Sequence, residues 1–160
     1  AIARALAIKP SVVVADEPTS ALDVSVRAQI INLMVDLKRQ LRVSFVFISH
    51  DLLTVSYISD KIAVMYLGEV VEYGPAAEVF RHPAHPYTQA LIAAVPVPDP
   101  VAEEARIKKP LSGELPSPLD LPPGCAFASR CPIATERCRV EKPVLHTYSG
   151  SREAACHYAN

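Results

Sequence analysis

Nowhere in the 160 residues is there an apolar run near the ~20 residues that a membrane-spanning helix needs. The longest apolar stretches are strand-sized, such as Val12-Val13-Val14-Ala15. An excess of either charge is also missing: 16 basic residues face 17 acidic ones, for a formal net charge of -1. That balance gives no basis for nucleic-acid binding. The apolar opening, Ala1 to Ile8, lacks the basic n-region and small-residue cleavage site of a secretory signal. It also lacks a starting Met and opens inside a helix-like segment, so the chain reads as a piece of a longer one. There is no Gly-x-x-x-x-Gly-Lys-[Ser/Thr], the loop whose backbone amides and lysine cradle phosphates. What is present suffices for one ordinary domain, or a small one with an extension, because half the residues are apolar.

Composition shifts along the chain. Strand-like and helix-like segments alternate up to about Pro96, and Pro96 to Pro123 holds eight of the 15 prolines. All four cysteines follow Gly124. By content the chain divides into residues 1–81, 82–123 and 124–160. The proline stretch reads as a semi-rigid tether, since each proline fixes φ and removes a donor.

Ser11 to Ala15 is a continuous, β-branched run that predicts a buried parallel strand. Asp23 is placed to cap the next helix. That helix carries Val26, Ile30, Leu33, Met34, Leu37 and Leu41 on one apolar face. Ser44 to Ser49 predicts a second buried strand, and Asp51 caps a short helix to Ser59. Lys61 to Tyr66 and Glu69 to Tyr73 flank Leu67-Gly68 as a hairpin. The order argues an α/β fold with parallel strands and crossover helices.

Ligands of such sheets bind beyond the carboxyl ends of the strands. The first strand ends in Asp16-Glu17 and the second in Ser49-His50-Asp51. If the strands are neighbours, these groups converge. An acid at the end of a buried strand is what P-loop NTPases use to support Mg²⁺ on the phosphates, directly or through a water. A second carboxylate, next in sequence, can polarise an attacking water. The plainer readings are an acidic turn for Asp16-Glu17, a locally bonded helix-start residue for His50, and a simple cap for Asp23.

The longer string favours the chemistry. Asp16-Glu17-Pro18-Thr19-Ser20-Ala21-Leu22-Asp23 resembles the Walker B motif and D-loop of ABC-type ATPases. Ile48-Ser49-His50-Asp51 resembles their H-loop, and Ala1 to Leu6 the helix that follows their signature motif. The resemblance implies a partial P-loop NTPase core using ATP and Mg²⁺. It implies that Asp16 supports Mg²⁺, Glu17 is the general base or orients the water, and His50 contacts the γ-phosphate. It places Asp23 at a head-to-tail dimer with a second ATPase subunit, the same or a sister. The Leu-Ser-Gly-Gly-Gln signature is absent, and Leu111-Ser112-Gly113 continues with Glu114 in a proline-rich setting. Without a phosphate cradle, this stretch alone is expected neither to bind ATP tightly nor to hydrolyse it.

His82-Pro83-Ala84-His85-Pro86-Tyr87-Thr88-Gln89-Ala90-Leu91 resembles the His-Pro-Tyr element of the ATP-binding subunits of oligopeptide and dipeptide importers. Leu111 to Pro118, Pro123 to Phe127 and Arg130-Cys131-Pro132 match that subfamily's C-terminal extension. This implies an energy-coupling subunit held peripherally at the cytoplasmic face of the membrane by integral-membrane permease subunits. An extracytoplasmic solute-binding protein would act indirectly. Import of nickel or another small solute, a soluble ABC ATPase, and a non-catalytic iron-sulfur module are the alternatives. Pro86-Tyr87 is placed to start a short helix through Val95. Prolines interrupt His82 and His85, which argues a structural role for both rather than a metal pair.

Cys125, Cys131, Cys138 and Cys156 are separated by five, six and 17 residues. A reducing cytoplasm disfavours disulfides. Four thiolates in a small segment suit a tetrahedral metal or a cluster, although the Cys-x-x-Cys knuckle of zinc ribbons is missing. Some members of the resembled subfamily carry a [4Fe-4S] cluster on this set, so a cluster is preferred to zinc and either to free thiols. The segment's large apolar residues are chiefly Phe127, Ile133, Val140, Val144 and Leu145, a core small enough to need such a staple.

Overall fold

The computed structural model describes residues 2–96, 116–117 and 120–159. Most of the proline-rich tether, and all of Leu111-Ser112-Gly113, lie outside the described residues. The fold is mixed α/β, with one parallel and one antiparallel sheet. It forms two compact units, Ala1–Ser59 and Asp60–Asn160, so the expected boundary at residue 81 falls inside the second.

The first unit runs α1 (Ile2–Leu6), β1 (Val12–Asp16), α2 (Val24–Leu41), β2 (Ser44–Ile48) and α3 (Leu52–Ile58). β1 and β2 pair in parallel from Val12↔Ser44 to Asp16↔Ile48, with α2 as the crossover. Asp23 caps α2 by accepting the Val26 N–H at 3.0 Å, and Arg42 ends it in the left-handed region at φ 53°. The core is Ala15, Met34 and Ile58, with Ile2, Ile30, Val35, Phe45 and Phe47 packed against it.

Two expectations fail here for one reason. The strands are covered on one face only, so Val12, Val14, Val46 and Ile48 remain 51%, 67%, 50% and 48% exposed. Side chains alternate across a strand, and only the face toward Ala15, Phe45 and Phe47 has a partner layer. On α2, Ile31 and Met34 are buried, whereas Val26, Leu33 and Leu41 of the expected apolar face stay exposed.

The second unit holds the hairpin β3 (Lys61–Tyr66) and β4 (Glu69–Pro75), then α4 (Ala76–Arg81), α5 (Pro86–Ala93), α6 (Glu136–Val140), β5 (His146–Ser149) and β6 (Arg152–Ala154). Leu67 and Gly68 both have positive φ, 47° and 82°, as a two-residue type I′ turn requires. The hairpin does not extend the parallel sheet. It pairs instead with the chain's last strands, in the order β3-β4-β6-β5, through Glu72↔Ala154 and Tyr73↔Glu153.

The four-cysteine tail therefore shares its core with the hairpin. Phe127 is buried against Tyr66 and Tyr87, with ring centroids 5.2 and 5.4 Å away. Ile133, Val140, Val144 and Leu145, expected to build a core of their own, are exposed. The helix expected through Val95 ends at Ala93.

Candidate functional site

The parallel register puts Asp16 beside Ile48, so the residues that follow each strand leave the same edge of the sheet. Glu17 turns off β1 at φ 45°, a left-handed conformation costly for a side chain of its size. Two groups hold the turn. The Glu17 N–H donates to the Ile48 carbonyl at 3.0 Å, which continues the ladder. The Glu17 carbonyl accepts from the Ser20 hydroxyl at 3.0 Å and the Ser20 N–H at 3.2 Å.

That turn brings the Glu17 carboxylate to the imidazole of His50: Oε1 lies 2.8 Å from Nδ1. The His50 side chain is 80% exposed and that of Glu17 38% exposed, so both can meet a ligand from solution. Asp51 is engaged by other partners. It caps α3, accepting from the Leu53 N–H at 3.1 Å and the Thr54 hydroxyl at 2.8 Å. Partial burial opposes its charge, but these bonds and Arg27 at 3.5 Å together hold its carboxyl below the usual range. The Val26 N–H and the Ser25 hydroxyl lower Asp23 in the same way. Asp16, Glu17 and His50 thus share one rim, and Asp23 is occupied as a cap.

The cysteines meet in the second unit. Cys125, Cys131, Cys138 and Cys156 line a single cavity together with His85 and Phe127. Gly124 makes this possible. A Cβ there would lie 2.3 Å from the Cys138 carbonyl oxygen, so only glycine lets the Cys125 N–H reach that oxygen at 2.8 Å. All four cysteines are free of disulfides. Burial, then the neighbouring thiols, pushes Cys125 and Cys131 up, and burial with Cys138 and Glu72 does so for Cys156. Local N–H groups act against this at each. Among the described residues, no group of three or more His, Cys, Asp or Glu side chains stands in an arrangement that could hold a metal ion.

Sequence reasoning passed over three residues beside the cavity. Thr135 Oγ1 lies 3.6 Å from Cys138 Sγ and 2.8 Å from the Tyr158 hydroxyl, while the Tyr158 N–H donates to Cys156 Sγ at 3.4 Å. Their spacing, three before one cysteine and two after another, was the available signal. Glu72 carries no such signal. It is fully buried, and its carboxylate accepts the Ala84 and His85 N–H groups at 2.8 and 2.9 Å.

Comparison with known proteins bears on both units. The family model for the C-terminal region of oligopeptide/dipeptide transporters matches residues 71–138. A probable peptide ABC transporter ATP-binding protein of Sinorhizobium fredii is 56% identical over 98% of this chain and 44% of its own length. A di/tripeptide transport ATP-binding protein of Pseudomonas aeruginosa is 53% identical over 99% of the chain and 48% of its own length. The oligopeptide transport ATP-binding protein of Escherichia coli is 52% identical over 90% and 43%.

The class is that of ATP-binding subunits of ABC transporters. Within it, the chain belongs to the oligopeptide/dipeptide transporter family. It spans under half the length of the curated relatives it matches.

Proposed function

We propose that this chain is part of the ATP-hydrolysing, energy-coupling subunit of a peptide importer. The carrying observation is the 2.8 Å contact between Glu17 and His50 at the ends of adjacent parallel strands. In this reading Glu17 accepts the proton of the attacking water, and His50 holds that carboxylate in place and faces the γ-phosphate. Asp16 supports Mg²⁺, which supplies charge neutralisation at the phosphates when bound. Asp23, beyond capping α2, lies on the loop that meets a second ATPase subunit. The chain's sequence contains no phosphate loop, so this stretch by itself neither grips ATP nor turns it over.

In this reading the partners are permease subunits in the membrane and, indirectly, a solute-binding protein outside it. No helix among the described residues is long and apolar enough to cross a membrane. In this reading the permease subunits hold the protein peripherally at the cytoplasmic face. Peptides are the favoured cargo because the three relatives named above are all called peptide transporters.

The four cysteines are read as ligands of a thiophilic group, an iron-sulfur cluster before zinc. Support comes from the donor set: four thiols free of disulfides line one cavity. Such a group would staple the tail rather than take part in hydrolysis.

Uptake of a labelled dipeptide into vesicles carrying the complete transporter tests the assignment. ATP-dependent uptake, abolished by Glu17→Gln, is expected. Uptake of nickel but not of dipeptide would overturn the cargo, and uptake untouched by the substitution would overturn the role of Glu17.

A further inference from the structure

We propose that Arg27 is a positioning residue for His50: its guanidinium ties the loop that carries Asp23 to the cap of the helix that follows His50. The role rests on reading Glu17 and His50 as the hydrolytic pair and goes one step past it, to what fixes the imidazole in place.

Arg27 lies in the first turn of α2, where its N–H donates to the Asp23 carbonyl at 2.9 Å. A cation there meets the positive end of the helix dipole and gains nothing from it. Its favourable contacts lie outside α2. Nη2 donates to the Leu22 carbonyl at 3.3 Å, on the loop just before Asp23. Nη1 stands 3.5 Å from Asp51 Oδ2, at the start of α3. The side chains of Arg27 and Asp51 are 32% and 29% exposed, so solvent screens this ion pair less than one on the open surface. Arg27 Nε is buried without an acceptor among the described residues, which costs free energy. The two Nη contacts hold the guanidinium in place against that cost.

Asp51 divides its carboxylate between two tasks. Oδ1 accepts the Leu53 and Thr54 N–H groups at 3.1 and 3.4 Å, capping α3. Oδ2 accepts the Thr54 hydroxyl at 2.8 Å and faces Arg27. The Asp51 N–H donates to Ser49 Oγ at 3.1 Å, a bond that spans His50. The His50 side chain is 80% exposed, so packing does not orient it. Its aim depends on the backbone on either side and on the contact with Glu17. Arg27 anchors that backbone to the Asp23 loop.

The test is steady-state ATP turnover by the complete subunit in its transporter. kcat and KM for Mg-ATP are read for wild type, Arg27→Met, Arg27→Lys, Asp51→Asn and the double variant of Arg27→Met with Asp51→Asn. Asp51→Asn keeps a capping oxygen but removes the charge that Arg27 meets. Arg27→Met and Asp51→Asn are each expected to lower kcat about tenfold with KM little changed, because a misplaced His50 weakens the transition state more than bound ATP. Arg27→Lys, which keeps the charge, recovers part of the loss. The double variant should fall no further than the worse single one, since both break one link. Wild-type kcat in Arg27→Met, a loss confined to KM, or full additivity in the double variant overturns the role of Arg27. Should Arg27→Met fail to fold, wild-type kcat in Asp51→Asn does the same. Glu17→Gln, run alongside, tests the pair itself: wild-type turnover there overturns the hydrolytic reading and takes this inference with it. Lost turnover in Glu17→Gln beside an unaffected Arg27→Met overturns this inference alone.

Discussion

The two units differ in what covers their sheets and in what they bury. In the first, Val14 is 67% exposed on a bare sheet face, and Glu17 and His50 sit on an open polar rim. In the second, Phe127, Val79, Glu72 and His85 are all at or below 1% exposure, and the buried Glu72 carboxylate and His85 ring each have hydrogen-bond partners. β1 and β2 are apolar on both faces, which is the pattern of strands covered on both sides. Such strands suit a larger sheet, and the relatives are more than twice as long as the stretch they share with this chain. The second unit encloses its own centre. One unit keeps Glu17 and His50 open to solvent, and the other packs aromatic rings about a buried carboxylate.

Substitutions separate the two. Phe127→Ala should cost about 3–5 kcal/mol in denaturant unfolding, because a fully buried ring leaves a cavity. Acid should act next. His85 sits at about 4, below its ordinary 6.5, so the unfolded chain takes the proton first. Its contribution is complete above pH 6.5 and falls as pH drops toward 4, by at most about 3 kcal/mol. Unfolding curves from pH 7 to 4 should show that slope in the wild type and less of it in His85→Gln. In the first unit, Asp23→Ala should cost only about 1 kcal/mol, the usual worth of a helix cap, by the same assay. Val14→Thr should change stability by less than about 0.5 kcal/mol in this chain. A large loss there would mean that the bare face is covered.

Much of this was legible because the signals were local. Asp23 and Asp51 cap the helices that their positions foretold, and Leu67-Gly68 makes the expected turn. The acid pair and His50 could be brought to one rim from sequence alone, since the parallel register follows from strand, helix, strand. What escaped was non-local. Nothing near Glu72 in sequence announces that its carboxylate will hold the amides of Ala84 and His85. Nothing near Tyr73 announces a pairing with Glu153. The same gap hid the bare face: a β-branched run is identical whether one or two layers cover it. It also led the tail to be read as its own core, when Phe127 in fact rests on Tyr66 and Tyr87.

The most direct measurement is steady-state ATP turnover by the complete subunit in its transporter, with Glu17→Gln compared to wild type. The proposed role predicts that turnover falls on the order of 10²–10⁴-fold while Mg-ATP is still bound. Glu17→Gln hydrolysing ATP at the wild-type rate would contradict it.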